Sequence, residues 1–295
     1  MTRTILVCAL AAATVATAGC GGGGAKPGGA LRVVAAENVY ADIVRQIGGT
    51  HVDVTSILSD PNADPHLFEP GTKNALAVAQ AKLVIQNGVG YDAFMSRLER
   101  ASPSKARVVI TVADVLAVHG ADANPHLWYD VPKLPDIAAA IAAGLERQDP
   151  AHAGAYRRGL TRFDLSLLPL QHTVAAIRRT FGGRPVAYTE PVPGYLIAAA
   201  GLRNLAPEGF TRAIEDGTEP SPAAVSTMTA LATNHAIKVL LYNTQAISPI
   251  TTRIRSAARA AGIAIVGVSE TLPAGETFQA WQLGQARALE SALAR

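Results

Sequence analysis

Short apolar runs of strand length alternate with helical periodicity along nearly the whole chain, and a single long helical stretch breaks that alternation in the middle. Residues 31–36 read as a first strand, and the segment from Val39 to Ile47 reads as a helix that Gly48 and Gly49 end. A second strand is expected over 52–58, a short helix over about 71–81, and a third strand over 83–87, closed by a turn at Gly88. A helix over roughly 91–100 and a strand over 107–112 complete the first half. Such alternation builds βαβ units around a parallel sheet.

From Pro132 to about Phe181 the pattern is almost unbroken helix, interrupted near Asp149 and Pro150. Tyr156, Phe163, Leu167, Val174 and Ile177 recur at helical spacing, which predicts one long amphipathic helix that Pro169 should kink. After Gly182 and Gly183 the alternation resumes, with strands over 185–188, 202–205, 237–242 and 263–268. Helices are expected over 194–200, 223–234, 250–261 and from about 277. The chain is therefore expected to be an α/β protein whose two lobes, each a parallel sheet flanked by helices, are joined by one long linking helix.

The N-terminus has a different character. One basic residue, Arg3, precedes an apolar run from Ile5 to Ala18 that is too short for a membrane span, which needs about 20 residues. This is a secretory signal. Thr17, Ala18 and Gly19 directly before Cys20 resemble the bacterial lipobox, in which cleavage ahead of the cysteine is coupled to its acylation. Residues 1–19 are expected to be the signal peptide and 20–30 a lipidated, glycine-rich flexible tether. The first lobe is then 31–131, the linking helices 132–182 and the second lobe 183–295. Cys8 leaves with the signal, so no disulfide can form within the mature chain. The expected location is extracytoplasmic, held at the membrane by the lipid on Cys20, with the protein a monomer.

Charged residues are 17% of the chain and the formal net charge is +3, too little and too dispersed for a nucleic-acid footprint. Nucleic acid is excluded as a partner on that ground. Aromatic residues at 5% argue against a carbohydrate-stacking surface. There is no H-E-x-x-H, no G-x-S-x-G and no Cys/His nucleophile pair, so the chain is not expected to be an enzyme.

Chemistry concentrates in two Pro-His loops. Asp64-Pro65-His66-Leu67-Phe68-Glu69-Pro70 follows the second expected strand, and Asn124-Pro125-His126-Leu127-Trp128 follows the fourth. Proline stiffens each loop and presents its histidine beyond a strand end, where open α/β sheets place ligands. In the second half, Glu190 follows the strand over 185–188 and Glu270 follows the strand over 263–268, each near a proline. By the same rule, His66, His126, Glu190 and Glu270 converge on the crevice between lobes. Two imidazoles and two carboxylates suit Mn²⁺, Fe²⁺ or Zn²⁺ and suit Cu(I) poorly. Glu69 is expected to support the site or start a helix. His119 is the one further histidine close enough to be an accessory ligand, and His51, His152, His172 and His235 are expected to face solvent.

These stretches, together with Glu37-Asn38-Val39-Tyr40, Asn87-Gly88 and Glu219-Pro220-Ser221-Pro222, resemble the substrate-binding lipoproteins of bacterial zinc and manganese ABC importers. The resemblance implies two lobes on a rigid helix, one divalent metal ion carried as cargo, and delivery to a membrane permease. It also implies ligands at His66, His126, Glu190 and an acidic residue near the C-terminal end. Glu270 matches that last position, with Glu276 close by as an alternative. Glutamate at position 190, often histidine in zinc carriers, and the reduced loop 118–123 favour manganese modestly. A metal-dependent hydrolase and a surface adhesin are the other classes considered.

Overall fold

A computed structural model describes residues 29–60, 68–120 and 122–295. The first sheet comprises β1 (Leu31–Glu37), β2 (Val52–Leu58), β3 (Leu83–Gln86) and β4 (Val108–Thr111). All pair in parallel, in the order β2-β1-β3-β4. The second comprises β5 (Pro185–Tyr188), β6 (Arg203–Asn204), β7 (Val239–Asn243) and β8 (Ala264–Val268). It repeats the same winding as β6-β5-β7-β8. The central strands β1, β3 and β7 are near-continuous apolar runs because helices cover both faces of each sheet.

Helices α1 (Asn38–Gly48), α2 (Thr72–Gln80), α3 (Ala93–Ala101) and the short α4 (Val112–Val115) belong to the first half. Helices α5 (Leu134–Gln148) and α6 (Ala153–Phe181) join the halves. The second half carries α7 (Gly194–Ala199), α8 (Glu208–Glu215), α9 (Pro222–Thr233), α10 (Pro249–Ala260) and α11 (Phe278–Leu293). The two-sheet α/β class is as expected. Helix α8 was not expected, because its apolar pattern is short and begins directly after Pro207.

At 29 residues α6 is about 44 Å long. It continues without interruption through Pro169, whose ring lies on the exposed face. Its inner face, with Phe163, Leu167, Leu170 and Val174, enters one apolar cluster that runs from β1 and α1 through α5 to β5, β7 and α11. Close approach requires Gly159, since a Cβ there would lie 2.1 Å from the Ile47 carbonyl oxygen at the end of α1. The linking helix is thus built into a core shared by both sheets, which resists large relative movement of the lobes.

Two histidines depart from the expectation of simple solvent exposure. His51, between α1 and β2, stacks on His152 ahead of α6, with ring centroids 3.9 Å apart. His152 Nδ1 also meets Asp149 Oδ2 at 2.7 Å, so both rings are half-buried at the junction of α6 with the first sheet.

Candidate metal centre

In both sheets the strand order reverses beside the first strand, between β1 and β3 and between β5 and β7. Loops leaving the strand ends at these points diverge and open a crevice. Between the halves lies a cleft of about 730 Å³, lined by Phe68, Tyr91 and Asn124 on one side and by Tyr188, Pro191 and Glu215 on the other.

His126 is fully buried, next to Pro125 and against Tyr91, which line this cleft. Its position is set from below: Asn87, just past β3, donates from Nδ2 to the Pro125 carbonyl at 2.8 Å and accepts from the Tyr40 hydroxyl at 2.6 Å. The ring packs edge-on against Tyr91 and Trp128, centroids 5.7 and 5.4 Å away. Asn124 Oδ1 accepts from the His126 backbone N–H at 3.1 Å and lies 2.8 Å from its Nδ1. Because the Asn124 amide nitrogen is committed to the Pro191 carbonyl at 2.7 Å, its oxygen faces the ring and the proton resides on Nδ1. Nε2 is therefore the ring nitrogen turned to the opposite lobe, the one that can be offered to a metal once it is unprotonated.

That nitrogen faces carboxylates from the opposite lobe. Glu270 Oε2 is 3.3 Å from His126 Nε2, and Glu215 Oε2, at the end of α8, is 3.9 Å away. Glu190 and Glu270 are each 1% exposed. Asn243, at the end of β7, donates from Nδ2 to both, reaching Glu270 Oε1 at 2.7 Å. Tyr91 donates its hydroxyl to Glu270 Oε2 at 3.0 Å across the lobes, and the Glu270 backbone N–H donates to Gln245 Oε1 at 2.5 Å. One amide group therefore joins two buried carboxyl groups and holds them side by side.

The electrostatics follow. Burial pulls the His126 pKa down, but Glu215, Glu270 and Glu190 outweigh that effect and leave it raised. Burial, reinforced by Glu270, pushes the Tyr91 phenol well up and keeps it a neutral donor. Beneath the site, burial and then the neighbouring Asp92 carboxyl push Glu37 well above the usual carboxylate range.

Of the four residues expected from the sequence, His126 meets Glu270 directly and Glu190 joins Glu270 through Asn243; among the described residues no three His, Cys, Asp or Glu side chains are yet arranged around one metal position. His66 lies outside the described residues, as does Cys20. Glu276 is exposed in the turn before α11, whereas Glu270 is buried in the cluster, so of the two only Glu270 meets His126. Glu69 is exposed, and His119 is exposed in a surface depression with Thr111 and Asp114. Glu215, Asn243, Tyr91 and Asn124 were missed as site residues. Asn243 had a usable signal, a polar side chain as the last residue of the apolar strand β7, close to the strand-end setting that drew attention to Glu190 and Glu270, each two residues past its strand.

A family model described as zinc-uptake complex component A, periplasmic, matches residues 33–292. Among curated proteins, the manganese-binding lipoprotein MntA of Bacillus subtilis is 28% identical over 169 residues, covering 55% of this chain and 55% of that protein. The manganese ABC transporter substrate-binding lipoprotein PsaA of Streptococcus pneumoniae is 28% identical over 172 residues, covering 54% and 55%. The chain thus spans about half the length of the curated relatives it matches. Among solved structures, the periplasmic zinc-binding protein TroA of Treponema pallidum superposes with a TM-score of 0.77 at 20% identity, over 90% of this chain and 100% of that one. That likeness is one of fold.

Proposed function

The chain belongs to the zinc-uptake complex component A family, and from that premise we propose that it is an extracytoplasmic solute-binding lipoprotein that captures one divalent transition-metal ion and hands it to an ABC import permease. The observation that carries the proposal is the meeting of His126 Nε2 with Glu270 Oε2 at 3.3 Å, with Asn243 joining Glu270 to Glu190. These donors come from both lobes and are buried, so a cation bound there closes the crevice.

In this reading His126, Glu190 and Glu270 are ligands, and His66, from the loop after β2, supplies the fourth. The lobes are 31–131 and 183–295, with 132–182 between them. Residues 1–19 are a signal, and Cys20 carries the lipid that holds the monomer at the membrane. Capture and release are reversible coordination, without a chemical step on the cargo. A catalytic metal keeps an open coordination position, whereas four protein ligands fill a tetrahedral site. The carboxylate-rich donor set accepts Mn²⁺ readily, Zn²⁺ binds most sites of this kind more tightly, and Fe²⁺ fits the same donors. Because imidazole must be neutral to bind, acidification releases the ion.

The test is elemental mass spectrometry of the purified protein, followed by competition titration of the apo form with Mn²⁺ and Zn²⁺, repeated on His66→Ala. One bound equivalent that the substitution weakens supports the proposal. No bound metal, or unchanged binding in the variant, overturns it.

A further inference from the structure

Helix α6 turns an unusual face to solvent. Its inner stripe is buried, and the opposite stripe carries Arg158, Arg162, Leu165, Pro169, His172 and Arg179, which share one side of the helix. The helix contains five arginines and one acidic residue, Asp164. Arg157 pairs with Glu146, but among the described residues Arg158, Arg162 and Arg179 form no ion pair. Leu165 is 60% exposed and Leu168, one turn along, is 41% exposed. Two bare leucines between arginines at both ends form the pattern of a surface that lies on anionic headgroups, apolar groups entering the interface and cations pairing with phosphate.

The described chain also enters the body beside this helix. Leu31, where the body begins, pairs with Val52, and His51 next to it stacks on His152 just ahead of α6. The segment leading to Cys20 therefore leaves the body near the first turn of α6. Cys20 and Ala30 are ten residue steps apart in sequence, a reach of at most about 36 Å, less than the length of α6. A lipid on Cys20 holds the start of the helix close to the bilayer.

We propose that the outward face of α6 rests on the anionic phospholipid surface to which the chain is anchored, an inference that builds on the lipoprotein reading above. No residue of α6 lines the metal cleft, so this contact leaves the cleft open to incoming ions. The resting protein lies along the bilayer on its linking helix.

The experiment places a fluorophore on that face. Trp128 and Trp281 are buried, so an indole introduced by L165W is the one that a bilayer reaches, and L76W, at the 58% exposed Leu76 on α2, is the control. The mature chain is reconstituted in vesicles of phosphatidylcholine alone or mixed with phosphatidylglycerol. With brominated phosphatidylcholine as quencher in both kinds of vesicle, the L165W emission should shift to the blue and be quenched in the mixed vesicles only, with L76W unaffected. Adding R158E, R162E and R179E should abolish the effect and lower the vesicle partition of unacylated chain at least about a hundred-fold. Thermal midpoint and metal titration should stay unchanged. Equal quenching at both positions, equal quenching in neutral vesicles, or survival of the signal after charge reversal would overturn the proposal. Mass spectrometry of the membrane-extracted chain decides acylation separately. An unacylated chain overturns the anchor, while the same comparison with chain added from solution still decides the helix face.

Discussion

The Nδ1 of His126 donates to Oδ1 of Asn124 over 2.8 Å, and this contact decides which ring nitrogen is offered to a metal. Asn124→Ala should free the ring and lower metal affinity by about 10- to 100-fold. Asn124→Asp keeps an acceptor for Nδ1 but loses the donor to the Pro191 carbonyl, and should retain more affinity than the alanine variant. Competition titration against a chromophoric chelator measures both. Equal affinity in all three proteins would show that the ring is fixed by packing alone.

Asn243 presents a different case, since it touches carboxylates and no imidazole. Asn243→Ala removes the donor shared by the buried Glu190 and Glu270 carboxyl groups. The apo protein should lose on the order of 1–3 kcal/mol. A bound cation replaces the missing donor, so the metal-loaded protein should lose less and the metal-induced rise in thermal midpoint should widen. Equal destabilisation of both forms would contradict this account of the amide.

Gly194 carries no ligand and is still expected to matter. A Cβ at this position would lie 2.6 Å from Asn124 Nδ2, the atom that bonds Pro191. Gly194→Ala should therefore weaken the junction of the two loops and reduce metal affinity in the direction of Asn124→Ala, as chelator competition will show. The double variant should lose little more than either single one, because both break the same contact.

Glu37 gives the apo protein a pH dependence of definite sign. Burial, and then Asp92, raise its pKa well above 4.5, so the folded state holds this proton more tightly than the unfolded chain does. The resulting stability is complete below the unfolded value and is lost as pH rises through the raised folded value. Glu37→Gln should flatten that decline and make the variant relatively more stable towards alkaline pH. Thermal midpoints across the range decide it; parallel curves for the two proteins would mean that Glu37 titrates normally.

Much of this architecture was legible in the sequence because buried parallel strands and an amphipathic helix impose strong periodicities. Val33, Val34 and Val84 mark strands, and Tyr156, Phe163 and Val174 mark one helix face. The rule that ligands gather at strand ends was enough to single out His126, Glu190 and Glu270 as candidates, and the structure places His126 against Glu270 with Asn243 between Glu270 and Glu190. It did not find Tyr91 or Glu215, because their roles depend on how the two lobes meet. Tyr91 reaches Glu270 across 179 positions of sequence, and nothing local to either residue signals that pairing. The stacking of His51 on His152 was hidden for the same reason. Helix α8 was too short for its periodicity to stand out after Pro207.

The most direct test of the central claim is X-ray absorption at the metal edge on protein loaded with one equivalent of Mn²⁺ or Zn²⁺, compared with His126→Ala. The account predicts a shell of nitrogen and oxygen donors, with imidazole–metal distances of about 2.0–2.1 Å for zinc. Two imidazoles should appear in the parent and one in the variant. A sulfur donor, or an imidazole count unchanged by the substitution, would contradict it.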